Sequence, residues 1–160
     1  MLLTLVVVVF GLTFAAEPAQ PSGEVQGAEA TTKGLMEAFV GANAAKLTEY
    51  FADKVTFAGD LRFLGGESQG QQEVTREQLA SAYTRMFDAM GREKWDAIMK
   101  GSIPALTRAP KAGEPFSFVK PGDYIYELRQ PDRTGMDDVI LFVLRPVEGK
   151  LKVVGHWADY

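Results

Sequence analysis

The chain has 160 residues, and a 46% hydrophobic content that includes ten Phe, five Tyr and two Trp is enough for one packed domain rather than a disordered chain. Its 17 basic and 21 acidic residues leave a formal charge of -4 with no run of Lys or Arg, so there is no electrostatic footprint for nucleic acid or an anionic membrane surface. The absence of cysteine excludes disulfides, thiolate metal sites and cysteine nucleophiles, and a single histidine with carboxylates makes a poor zinc site.

Residues 1–16, MLLTLVVVVFGLTFAA, carry no charged side chain, and the apolar run is shorter than the roughly 20 residues a bilayer-spanning helix needs. It reads as a signal peptide. Thr13 and Ala15, or less well Phe14 and Ala16, supply the small residues before a cleavage point, which puts the mature start near Ala16 or Glu17. No Lys or Arg precedes the apolar run, so the amino terminus alone provides positive charge there. The reading is of a secreted or periplasmic protein with no stable membrane span once the leader is removed, followed by a polar linker over residues 17–23 and a single domain over 24–160.

Within that domain, GAEATTKGLMEAFVGA spaces Ala28, Leu35, Met36, Phe39 and Val40 as one face of a helix. Asn43 is the expected cap of a second, short helix in AAKLTEYFA, where Leu47, Tyr50 and Phe51 share a face. The alternation of Val55 and Phe57 in VTFAG predicts a short strand. GGESQGQQE, residues 65–73, has almost nothing to bury and reads as a loop or hairpin tip. Thr75 and Gln78 form a capping box ahead of the stripe Leu79, Tyr83, Met86, Phe87 and Met90, and a further turn follows around Trp95, Ile98 and Met99. From about residue 116 the period changes to two. FSFVKPGDYIYELRQ, DDVILFVLRP and KLKVVGHWAD predict an antiparallel meander, so the fold class is α+β, a curved antiparallel sheet packed on N-terminal helices.

Three segments carry a family resemblance: LMEAFVGANAAKLTEYFADKVTFAGD, the capped helix VTREQLASAYTRMFDAM, and the closing hairpin FVLRPVEGKLKVVGHWADY, which has Leu151 where many relatives have Trp. Together they resemble the nuclear transport factor 2-like superfamily, the cystatin-like cone shared by SnoaL-like cyclases, ketosteroid isomerases and scytalone dehydratase. The resemblance implies a pocket at the open end of the cone, apolar with a few polar groups. It also implies places to look for chemistry. Tyr50, Asp60, Tyr83, Tyr126 and Asp138 are the parts available to an isomerase-like set of Asp and Tyr, while Asp60 with Arg62 only loosely resembles the Asp-Arg-Asp set of epoxide hydrolases. A chain with one histidine does not reproduce the histidines of scytalone dehydratase.

Strand alternation separates Lys150, Lys152, Val154 and His156 from Leu151, Val153, Gly155 and Trp157. The lysines mark the first set as outer, which points His156 away from the core and Trp157 into it unless a bulge at Gly155 shifts the parity. The same alternation puts Tyr124, Tyr126 and Leu128 inside, and Tyr126 with Trp157 is the expected ligand wall. VILFVL is apolar on both parities, which asks for cover on both sides of the sheet and suggests a homodimer packed sheet to sheet, or loops that shield the outer residues. The leading expectation is a binder of a small hydrophobic molecule, or an accessory module, with no cofactor. The alternatives are a cofactor-independent isomerase, cyclase or hydrolase using Asp60 with Tyr83 or Tyr126, His156 being a weaker candidate, and an interaction module working through the outer sheet face.

Overall fold

A computed structural model describes residues 23–109, 111–113, 116–130 and 138–158; the expected leader and most of the expected linker lie outside the described residues. Helix α1 spans Gly23–Val40 and α2 Ala44–Thr48, followed by strand β1 (Phe51–Asp60), a 3₁₀ turn (Leu61–Leu64) and β2 (Gln69–Thr75). Helices α3 (Arg76–Met90) and α4 (Arg92–Met99) lead into β3 (Ile103–Arg108), β4 (Tyr124–Gln130), β5 (Asp138–Val147) and β6 (Lys150–Ala158). The strands form one sheet in the order β2-β1-β6-β5-β4-β3. The β4-β5-β6 meander is present as expected. The sheet is nevertheless mixed, because β1 and β6 run parallel while every other pair is antiparallel.

Local chemistry accounts for most of the boundaries. Asn43 caps α2 by accepting from the Lys46 amide at 2.9 Å, and the Thr48 hydroxyl bonds back to Ala44 and Ala45. The second helix is shorter than its pattern suggests. Phe51 belongs to β1, where it pairs with Val153, and the ladder prevails over the helical spacing of Tyr50 and Phe51. At α3 the capping box is complete, Gln78 N to Thr75 Oγ1 and Thr75 N to Gln78 Oε1 at 2.8 Å. Gly91, at φ 76, turns the chain from α3 into α4. The polar stretch 65–73 divides: its first residues are the hairpin tip, and Gln69 onward is an exposed edge strand paired with β1.

The core fills the concave face. Phe39 of α1 is its hub, with ring centroids of Tyr83, Phe87, Trp95 and Phe142 within 4.9–6.2 Å. Trp95 is buried there with its indole N–H satisfied by the Phe39 carbonyl at 2.9 Å. Ile140, Phe142 and Leu144 face this core, and Leu141 and Val143 face the opposite side.

That opposite side is covered by the chain itself. Ala109, Phe116, Phe118 and Val119 pack on Val143, Ile125 and Val154. Asp123, buried, accepts from Arg145 Nε at 2.8 Å and from the Lys120 amide, and the Arg145 guanidinium also reaches the Phe118 carbonyl at 3.2 Å. These bonds tether the covering segment to β5. The apolar outer face, the ground for expecting a sheet-to-sheet dimer, is thus shielded by a loop.

In β6 the register shifts: Val143 pairs with Gly155, but Leu144 pairs with Val153, so Val154 is an extra residue and the alternation inverts beyond it. This corrects the expected orientations. His156 points into the core and is fully buried, while Trp157 lies on the outer side, stacked on Phe116 with centroids 5.7 Å apart. Gly155 is required beneath Phe118, because a Cβ there would stand 2.2 Å from its ring.

Candidate functional site

The inverted parity brings His156 to Tyr83 of α3. The Tyr83 hydroxyl and His156 Nε2 are 2.6 Å apart, and His156 Nδ1 lies 3.0 Å from the Leu141 carbonyl. A carbonyl only accepts, so Nδ1 carries the ring proton and Nε2 accepts from the tyrosine. Burial pushes the imidazole pKa down to about 4, only partly opposed by the Leu141 carbonyl. A stack on Phe142 at 4.7 Å and edge contacts with Phe57 and Phe63 complete its surroundings. At neutral pH it is a neutral, hydrogen-bonded core residue.

The other sequence candidates are dispersed. Asp60, at the end of β1, is buried and holds Arg62 through Nε at 2.8 Å and the backbone amide at 3.0 Å, also capping the 3₁₀ turn. Its pKa is lowered by the hydrogen bond from the Arg62 side chain, which makes it a weaker base rather than a stronger one. Tyr126 does face inward, stacked on Phe142, and desolvation pushes its phenol up to about 12. Trp157 is on the other side of the sheet from Tyr126, so the expected ligand wall of these two does not form. Asp138 opens β5, with its side chain outside the described residues.

A cleft open to solvent lies elsewhere on the concave side and has a volume of about 680 Å³, within the range of small-molecule sites. One wall is the N-terminal half of α1, at Gly27 and Thr31, with Glu49 and Tyr50 from the turn after α2. Across it stand Arg108 at the end of β3, Tyr124 at the start of β4, and Pro146, Lys150, Leu151 and Lys152 from the β5-β6 hairpin. None of Asp60, Tyr83, Tyr126 and His156 lines it.

Strand register explains how Arg108 comes to be there. Leu106 opposes Tyr126 and Arg108 opposes Tyr124, so these four share the inner side of the sheet. The guanidinium sits over the Tyr124 ring, 4.9 Å from its centroid, where a cation is attracted by the aromatic face. Beneath it the Tyr124 hydroxyl is buried without a hydrogen-bond partner. Gly34 of α1 leaves room for Tyr50, since a Cβ at that position would lie 2.1 Å from the phenol oxygen. Lys152 Nζ is held at the rim by the Glu49 carbonyl at 2.5 Å.

Of these residues, the sequence patterns place Tyr50 on a helix face with Leu47 and among the parts available to an isomerase-like set, and Leu151 on the inner face of the last strand at the place of a family Trp. Arg108 carried the one usable signal. It is a charge at the parity where the strand IPALTR places Leu106, and that strand was itself unrecognised.

No family model matches the sequence, and no curated protein matches it. Among solved structures the chain is similar to a DUF4783 family protein from Bacteroides ovatus, at 12% identity over 79% of this chain and 91% of that one, with a TM-score of 0.51. It is also similar to a domain of unknown function with a cystatin-like fold from Nostoc punctiforme, at 12% identity, 88% and 78% coverage and a TM-score of 0.50. A second Nostoc punctiforme protein of unknown function with a cystatin-like fold aligns at 11% identity, with 87% and 92% coverage and the same TM-score of 0.50. At such identities the likeness concerns the fold: the chain is a cystatin-like cone, the architecture that the sequence resemblance implies.

Proposed function

We propose that this protein binds a small, largely apolar molecule in the cavity between α1 and the starts of β4 and β6. One observation carries the reading: the interior is closely packed with aromatic side chains around Phe39, yet about 680 Å³ remains open between Tyr50, Tyr124, Pro146 and Leu151. An open cleft of this volume, walled in part by tyrosine, proline and leucine side chains beside a filled core, is the ordinary setting of a small-molecule site. Proton-transfer catalysis draws no comparable support. Asp60 is engaged by Arg62, Tyr83 by His156, and neither they nor Tyr126 meet in the cavity.

The neutral fluorophore N-phenyl-naphthylamine tests the reading. Saturable, one-to-one enhancement is expected with the chain from about Glu17. A Leu151→Trp variant, which fills the cavity, should abolish it while keeping the circular dichroism of the parent. Absence of saturable binding by the parent, or undiminished binding by the variant, would overturn the proposal. The apolar leader at residues 1–16 extends the reading to a binder that works outside the cytoplasm. A mature chain starting near Ala16 or Glu17 in the exported fraction supports that extension, and an intact leader on a cytoplasmic product removes it.

A further inference from the structure

The wall that α1 gives to the cleft is built differently from the rest of that helix. Over residues 27–33 only Ala28 and Thr32 are buried, whereas Leu35, Ala38 and Phe39 in the following turns insert into the core, with Met36 and Val40 packed beside them. The composition changes at the same point. GAEATTKG, residues 27–34, holds two glycines and two threonines, which are weak helix formers, and LMEAFV after it begins with four strong ones. Thr31 Oγ1 donates back to the Gly27 carbonyl at 2.9 Å and Thr32 Oγ1 to the Ala28 carbonyl at 3.0 Å, bonds of a kind that slightly destabilise and bend helices. Gly34, pressed against the Tyr50 phenol, marks the junction between the two halves. A helical segment with few buried side chains and low intrinsic preference opens at a smaller free-energy cost than the fold as a whole.

We infer that residues 27–33 of α1 are a movable wall of the cleft, which opens and recloses in the free chain to admit the ligand and is held closed by it. This rests on the binding function proposed above and adds how the site is entered. Among the described residues of α1, Gly27 and Thr31, one turn apart, line the cleft, so the weakest part of the helix is also the part an occupant touches. Tyr50 lines it as well and abuts Gly34, which places the junction within reach of the same occupant. Contacts made only in the closed state supply the differential affinity that shifts such an equilibrium. The C-terminal half of the helix, anchored through the rings around Phe39, stays in place and fixes the line along which the wall returns.

Amide hydrogen exchange with and without N-phenyl-naphthylamine tests this. In the free chain the amides of residues 27–33 are expected to exchange at least about a hundredfold faster than those of residues 38–40, and saturating fluorophore should slow the first group. An Ala30→Gly variant gives a second readout. Ala30 is exposed and outside the cleft lining, so glycine there weakens the helix without altering a contact with the ligand. An affinity lower by about threefold to fivefold is expected, because the closed state becomes rarer. A residue that merely supports the fold would lower stability and leave the affinity of the folded chain unchanged. Equal protection of both halves in the free chain, exchange unmoved by bound fluorophore, or an unchanged affinity in the variant overturns the movable wall and leaves the cleft as a binding site. Absence of saturable binding by the parent overturns the binding function, and the role of the wall with it.

Discussion

Tyr83 and His156, 73 positions apart, share a buried hydrogen bond of 2.6 Å that ties helix α3 to the last strand. The bond exists because one extra residue at Val154 turns His156 inward, and burial there makes the imidazole a pH-sensitive part of the core. In the folded chain its pKa lies at about 4, against an ordinary 6.5. Between those values the unfolded chain binds a proton that the folded chain refuses, so stability falls as the pH drops from about 6.5 to about 4 and levels off below. The loss amounts to about 3 kcal/mol. Urea midpoints measured across this range should show that slope, and a His156→Phe variant should lack the histidine share of it. An identical pH profile in parent and variant would exclude His156 as the cause.

Replacing Tyr83 by Phe keeps the ring and removes only the donor to Nε2. A buried acceptor deprived of its partner destabilises by about 1–3 kcal/mol, far more than the volume change of one oxygen. Chemical denaturation at pH 7.5, about a unit above the ordinary histidine value, isolates this effect from the titration. A change within experimental error would mean that the imidazole finds an equivalent donor.

Asp123 and Arg145 anchor the segment that covers the outer sheet face. The hydrogen bond that Arg145 donates to Asp123 also raises the Arg145 pKa, as expected for a cation held by a carboxylate. An Asp123→Asn variant leaves a mostly buried guanidinium without its counter-charge, and a loss of about 2–3 kcal/mol follows, discounted for the part of Arg145 that reaches water. Trp157 reports on the same event, because its stack with Phe116 loosens when the segment lifts. A red shift in tryptophan emission before global unfolding is the expected signature. Emission unchanged until the whole chain melts would show that the ion pair is not what holds the cover down.

For Tyr124 the expectation runs the other way. Its hydroxyl is buried without a partner, so a Tyr124→Phe variant should be as stable as the parent or more stable by up to about 1 kcal/mol. A drop in stability would mean that this oxygen already has a partner in solution.

How legible all this was in the sequence depended on whether a residue's neighbours in the chain were also its neighbours in space. The capping box at Thr75 and Gln78 and the stripe from Leu79 to Phe87 are local, and α3 came out as written. So did the inward set Tyr124, Tyr126 and Leu128. Strands β2 and β3 were missed because both are edges with little to bury: QGQQEVT buries only Val74, and the mostly exposed IPALTR offers no clean alternation. The facing of His156 failed on a single residue. Nothing in KVVGHW says that Val154 is extra until the strand beside it fixes the register, although the glycine did mark the place where parity was open to doubt. The cavity lay furthest out of reach. Tyr50, Arg108, Tyr124 and Leu151 come from four separate stretches that only the sheet order brings together.

The parallel pairing of β6 beside β1 has a bearing on how the molecule is made. Because β6 sits between β1 and β5, a chain emerging from the ribosome first holds the β1-β2 hairpin and the β3-β4-β5 ribbon as two unjoined pieces. Each then presents a bare edge and half of an aromatic interior to its surroundings. Such edges are templates for wrong partners, and their exposure ends only when the last strand is synthesised and slides between them. The strand order therefore predicts that the sheet closes late, once β6 is available to join its two parts.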